Sequence, residues 1–206
     1  MNSILFNTEM VRAILEGRKT ATRRLVKPQP SGGVRKSVFC KSGVEDLHGY
    51  EIKPKYQIGE IIYVKETWGF DKNNWLYEAD FSDTDLIKLK HLLIWHPSIH
   101  MKEKTARIFL KVVDIRVEKV QDITDEQAKA EGIVVVTNKS GMMHIVGFGI
   151  LWNSIYPEND WAKNPWVWVY ELELITEKIK KRRKKDDFNN YSVNNCNDCD
   201  GDCCKK

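Results

Sequence analysis

The chain has 206 residues, 42% hydrophobic and 30% charged, with a formal net charge of +4. That is ordinary for a globular protein able to bury a core, and it lacks both an apolar run of membrane-spanning length and a charged-then-apolar leader, so the cytoplasm is the expected compartment. Five cysteines, four of them crowded at the far C-terminus, argue against a disulfide framework.

The charge is unevenly placed. Residues 178–206 hold nine Lys/Arg and five Asp; taking those from the 33 basic and 29 acidic residues leaves 24 of each sign over residues 1–177, a neutral body. Within it, residues 1–41 carry nine Lys/Arg against only Glu9 and Glu16, a local +7. A basic N-terminal region on a neutral body fits a localised anionic partner such as a phosphate backbone.

Ile4-Leu5-Phe6 reads as a short buried strand. Thr8 is placed to cap a helix that Glu9 supports at its positive end. Met10, Val11, Ile14 and Leu15 form the apolar stripe of that helix, and Gly17 supplies a left-handed stop. Gly17-Arg18-Lys19-Thr20-Ala21-Thr22-Arg23-Arg24 follows, with a lysine, two threonine hydroxyls and three arginines in eight residues. Arg18 and Lys19 emerge at the negative end of the helix dipole, where cations are favoured. The stretch is either a basic surface turn or a site able to hold an anion or attack an acyl carbon.

Lys27-Pro28-Gln29-Pro30-Ser31-Gly32-Gly33 excludes helix and central strand. Residues 31–56 read as a polar excursion in which Cys40 and His48 are incidental. Residues 58–68 are expected as one strand, with Ile62, Val64, Glu66 and Trp68 on one face and Ile61, Tyr63, Lys65 and Thr67 on the other. A carboxylate aligned with Ile62 and Val64 either makes a salt bridge at the rim or faces a cavity, so Glu66 is a second-rank site candidate. Residues 75–79 close a hairpin through a turn containing Asn73-Asn74, and a short helix is expected within 80–94. His96 and His100 have helical spacing, but Pro97 lies between them, and they read as packing or hydrogen-bonding groups rather than metal ligands.

Residues 105–120 form the longest strand-like run; from Lys111 onward Val113, Ile115 and Val117 alternate with Val112, Asp114 and Arg116. Thr124 and Gln127 make a capping box for a helix that carries Asp125 and Glu126 in its first turn, turns Ile123 and Ala128 to the core and stops at Gly132. Glu131 falls in the last turn, where an exposed carboxylate meets the negative end of the dipole at a cost of about 0.3–1 kcal/mol. A nearby cation or a function must account for it. Residues 134–143 read as a loop or weak strand, 148–155 as a short helix, 157–164 as a polar connection and 165–175 as a final strand able to bury aromatics on both faces. The folded body is expected over residues 1–176. Residues 177–206 form a basic, then Asn/Asp/Cys-rich tail expected to be disordered. Its Cys196, Cys199, Cys203 and Cys204 approach a zinc count but lack the usual spacer between ligand pairs, so neither a metal nor a cofactor is expected.

Strand, helix, Gly17-Arg18-Lys19-Thr20-x-Thr22-x-Arg24, Gly59-Glu60 opening a strand, a capped helix ending in Glu131 and a final hydrophobic strand together resemble the ASCH domain. Lys27-Pro28-Gln29-Pro30, Glu66-Thr67-Trp68, Trp95-x-Pro97-Ser98-Ile99-His100-Met101 and Asn164-Pro165-Trp166-Val167-Trp168 resemble its longer, phage-associated members. The resemblance covers roughly residues 3–30, 56–70 and 95–176. It implies an α+β fold, a PUA-like small β-barrel with flanking short helices, here with insertions at about 31–56 and 70–95. It also implies RNA recognition. Small bacterial members of the family are amidohydrolases that remove the acetyl group of 4-acetylcytidine with a lysine, a threonine and a glutamate, which match Lys19, Thr22 and Glu131. Arg18, Thr20, Arg23, Arg24, Glu66, Trp68, Trp95 and His100 are then expected to contact RNA or a modified nucleoside, and Trp168 is a further aromatic able to stack on a base. No membrane partner is expected. On a flat strand positions 19 and 22 point to opposite faces, so their cooperation requires a turn or bulge between them. A non-catalytic RNA-binding module on the same basic patch, or a ribonuclease, are the alternatives.

Overall fold

Strands from the start, the middle and the end of the described chain pair into one sheet, and the segments between them decorate it. This computed structural model describes residues 1–38, 42–71, 74–89, 93–134, 136–138 and 141–175. The N-terminal half contributes β1 (Ser3–Leu5), α1 (Thr8–Leu15), β2 (Ala21–Leu25), β3 (Val34–Lys36), β4 (Val44–Asp46), β5 (Ile61–Lys65), β6 (Trp68–Asp71), β7 (Asn74–Tyr77), α2 (Asp83–Leu89) and β8 (Trp95–His96). The second half contributes β9 (Phe109–Lys119), α3 (Asp125–Ala130), β10 (Val136–Asn138), β11 (Gly141–Met143), α4 (His144–Ile155) and β12 (Trp166–Leu174).

The fold is mixed α+β. Its main sheet has the strand order β1-β5-β9-β12-β2, with β1 parallel to β5 and the other neighbours antiparallel. Both excursions carry their own pairing. Within residues 31–56, β3 and β4 form a hairpin; β6 pairs with both β7 and β8 in a three-stranded sheet. As its composition requires, β12 buries side chains on both faces. Trp168, Tyr170 and Leu172 join Val11 and Ile14 of α1 in one core cluster, while Val167 and Val169 meet Ala128 of α3 and Phe148 and Trp152 of α4 in another. The sheet's two edge strands approach each other, and the Arg24 side chain on β2 donates to the Leu5 carbonyl of β1 at 2.8 Å.

Several local expectations are corrected. Asn7, not Thr8, caps α1: its Oδ1 accepts from the Met10 amide at 2.9 Å, while Thr8 opens the helix and donates to Glu78. The strand expected over residues 58–68 stops at Lys65, and Trp68 starts a strand of the smaller sheet. Trp68 therefore packs with Tyr63 and Ile61 rather than with Ile62 and Val64. In β9 the register slips opposite Glu171/Leu172, so Val113 is left out of the pairing. This bulge puts Leu110, Val112, Ile115 and Val117 against one core and leaves Val113 exposed. Helix α4 begins four residues before its expected start because Asp125, on another helix, accepts the backbone N–H groups of His144 and Ile145 at 2.7 and 3.3 Å. Cys40, Asn73 and the tail with Cys196, Cys199, Cys203 and Cys204 lie outside the described residues. Among the described residues no helix is long and apolar enough to cross a membrane, and no group of three or more His, Cys, Asp or Glu could hold a metal ion.

Burial leaves a legible pH signature at Tyr56. The Tyr56 phenol is pushed up to about 12 because burial disfavours its anion, with Arg24 opposing. Its hydroxyl donates to the Ser3 carbonyl at 2.7 Å. Folded Tyr56 thus holds its proton above the ordinary value of 10, and the stability this contributes is complete below pH 10 and lost as pH rises toward 12. Thermal stability should fall across that interval together with the growth of tyrosinate absorbance. In Tyr56→Phe the fall should be shallower; an unchanged slope would contradict the assignment.

Candidate functional site

Two helix C-termini converge on the Gly17–Arg24 stretch. Gly17, at φ 75°, reverses the chain after α1, and the amides of Arg18 and Lys19 both donate to the Ala13 carbonyl at 2.9 and 3.0 Å. The capping box on Thr124 and Gln127 forms as its spacing requires, and Gly132, at φ 84°, ends α3. The Thr20 amide donates to the Ala130 carbonyl at 2.8 Å, and Lys19 pairs with Glu131 as an isolated antiparallel bridge. The basic stretch is therefore sewn to the ends of both helices, where partial negative charge favours its cations.

The approach is close enough to require glycine at 132. A Cβ there would lie 2.8 Å from Ala13 Cβ and 2.9 Å from Lys19 Cβ, in addition to the left-handed backbone. Gly17 shares the backbone demand but has nothing within 4 Å of the same position. Gly132→Ala should therefore lose about 1–3 kcal/mol for the backbone plus a further loss for overpacking, and Gly17→Ala the first part only. Equal losses in chemical denaturation would contradict the close approach.

The side chains delivered this way make one buried cluster. Lys19 Nζ donates to Glu131 Oε2 at 2.8 Å and to the carbonyls of Ala21 and Glu131, each at 2.9 Å. Arg23 Nη1 donates to Glu131 Oε1 at 3.3 Å, and its Nη2 donates to Gln127 Oε1 at 2.9 Å and Glu118 Oε2 at 3.2 Å. The Lys19, Arg23 and Glu131 side chains are 1%, 0% and 5% exposed. Two buried cations thus answer the helix-end carboxylate that looked misplaced in sequence. Burial lowers the Lys19 ammonium below its ordinary range; Glu131 opposes this, and the charges of Arg24 and Arg23 add to it.

Thr22 is buried on the other face of β2 from Arg23, and among the described residues it makes no hydrogen bond to Lys19 or Glu131. It pairs across the sheet with Tyr170, whereas Arg23 pairs with Val169, so Thr22 and Arg24 share the face that carries Tyr170 and Trp168. Lys19 precedes the strand, and its amine and the Arg24 guanidinium lie over the same Phe6 ring at 5.2 and 5.3 Å. The Thr22 hydroxyl has no hydrogen-bond partner among the described residues.

Arg18 joins the cluster's rim through the Gly132 carbonyl at 3.0 Å, and Thr20 is exposed next to it. Arg18 and Glu131 line a hollow of about 260 Å³ with Asn7 and Met10. Complete burial removes Arg23 from any docking surface and makes it a support for Glu131. The remaining expected residues gather elsewhere. Glu66, 1% exposed, accepts from Arg107 Nε and Nη2 at 3.0 and 2.9 Å, a buried bidentate pair rather than a rim salt bridge, and burial raises its carboxyl despite Arg107. Trp68 stacks on His96 with centroids 4.4 Å apart, Trp95 meets the edge of Phe81, and His100 is exposed on a 3-10 turn. Phe6, Gln127 and Glu118 are the contributors that sequence reasoning missed; Gln127 was legible only as a cap, the role it also keeps.

No family model matches this chain, and no curated protein or solved structure matches it.

Proposed function

We propose that this protein is an ASCH-type, PUA-like domain that hydrolyses the acetyl amide of a 4-acetylated cytidine, with Thr22 as nucleophile, Lys19 as its base and Glu131 in support. The observation that carries the reading is the Lys19–Glu131 contact: an amine and a carboxylate 2.8 Å apart, both buried, with the amine three residues before Thr22, a buried residue whose hydroxyl makes no hydrogen bond among the described residues. The barrel-like part of the reading is supported by the approach of β2 to β1 through Arg24.

The chemistry follows from where the protons sit. Three acceptors surround Lys19 Nζ, matching the three protons of an ammonium. Burial works against that charge and lowers the Lys19 ammonium, so the amine can release one proton to solvent and stand ready to accept another. The Thr22 oxygen then attacks the acetyl carbon as its proton moves to Lys19. The tetrahedral intermediate collapses, the carbon–nitrogen bond breaks, and the leaving 4-amino group takes a proton from Lys19. Water, deprotonated by the same amine, cleaves the threonyl ester and releases acetate. The test is the release of cytidine and acetate from 4-acetylcytidine and its 5′-monophosphate by the purified protein. Release that persists in both Thr22→Val and Lys19→Met would overturn the assignment.

A further inference from the structure

A cationic hollow lies where the two sheet edges approach each other, on the Thr22 face of β2. Its volume is about 510 Å³, within the range of about 300–1,000 Å³ typical of small-ligand sites. Arg24, Lys27, Lys53 and Lys55 line it, and no carboxylate does. Arg24 and Lys27 come from β2 and the residues after it. Lys53 and Lys55 come from the excursion between β4 and β5. Among the described residues, Arg24, Lys27 and Lys55 form no ion pair; Lys53 is paired with Glu51 at 3.1 Å but remains 74% exposed. Tyr56 and Tyr170 close the floor edge to face, with ring centroids 5.2 Å apart, and the half-buried Tyr156 adds a more accessible ring.

Four cations around an aromatic-walled hollow, three of them in no ion pair among the described residues, are the complement of a ligand that joins an anion to a flat ring. The position connects the hollow to the buried cluster. Arg24 lies two residues beyond Thr22 on one face of β2, a separation of about 6–7 Å, and Thr22 itself stays buried behind the lining. Tyr170, the cross-strand partner of Thr22, lines the hollow, and Phe6 lies under both Arg24 and Lys19.

We infer that this hollow seats the phosphate of a pyrimidine nucleotide, so that the ligand of the site is a nucleotide or a nucleotide unit of a strand rather than a free nucleoside. The inference rests on the deacetylase reading for the choice of base and on the hollow for the phosphate. The test is a calorimetric titration of the full chain with cytidine, cytidine 5′-monophosphate, inorganic phosphate and a three-residue oligocytidylate. None of these carries an acetyl group, so binding is read without turnover. The monophosphate should bind about tenfold or more tighter than cytidine, the size of one charge-assisted contact, and the preference should weaken with salt. It should disappear in Lys27→Ala/Lys55→Ala, whose side chains are exposed, with an unchanged melting temperature confirming the fold. An oligocytidylate that binds more tightly than the monophosphate assigns the phosphate to a strand, and one that binds no more tightly assigns it to a free nucleotide. Equal binding of cytidine and the monophosphate, binding of neither, inorganic phosphate as tight as the monophosphate, or a preference that survives the double substitution overturns the inference. Turnover of 4-acetylcytidine with no advantage for its phosphorylated form would leave the deacetylase reading standing without the phosphate seat. A phosphate preference in the absence of turnover would do the reverse.

Discussion

Glu131→Ala should destabilise the protein by about 3–5 kcal/mol near neutral pH, because it leaves the buried charges of Lys19 and Arg23 without the carboxylate they share. The loss has a defined pH dependence. Lys19 already sits below its ordinary value through burial, with Glu131 the main opposing influence. Removing Glu131 lowers it further. A group that binds fewer protons folded than unfolded makes stability rise with pH across the interval between its folded and unfolded values. The destabilisation should therefore be greatest where Lys19 is charged and shrink as pH climbs toward the unfolded lysine value, leaving the part due to Arg23. Urea denaturation at several pH values measures this. Lys19→Met combined with Glu131→Ala should lose less than the sum of the two single changes, since the second removes a charge that the first has stranded. Additive losses would mean that the 2.8 Å contact carries no coupling.

Thr22→Val should separate function from stability. The substitution keeps the side-chain shape and replaces a hydroxyl that makes no hydrogen bond among the described residues, so stability should change by less than about 1 kcal/mol or increase. Deacetylation should fall by on the order of 10³-fold or more, because the substitution removes the oxygen that attacks the acetyl carbon. Lys19→Met should remove activity as well, but with a stability change of its own from the Glu131 carboxylate it strands. A residue that is neutral to folding and indispensable to turnover is the pattern a nucleophile gives and a packing residue does not.

What was legible in sequence is what short-range physics determines. The capping box on Thr124, the stop at Gly132, the two-sided burial of the final strand and the position of Gly17 each depend on a few neighbouring residues, and each is found. Glu131 stood out because its place on the helix was electrostatically poor. What compensates it, Lys19 and Arg23, lies more than 100 residues away, and only the fold brings them together. The errors have the same origin. The early start of α4 depends on a cap supplied by Asp125 of another helix, and the alternation of β9 fails at Val113 because its partner strand skips that residue. Arg23 looked like an anion contact beside Arg24; strand alternation turns it inward to Glu131 and leaves Arg24 facing the hollow. Glu66 and Trp68 share a phrase in sequence, but the strand break after Lys65 sends them to different surroundings.

The most direct measurement is acetate release from 4-acetylcytidine and its 5′-monophosphate by the wild-type chain and by Thr22→Val at matched folded concentration. The account predicts turnover by the wild type and loss of it in Thr22→Val, whose melting temperature stays the same or rises. No release by the folded wild type from either compound, or equal release by the two proteins, would contradict it.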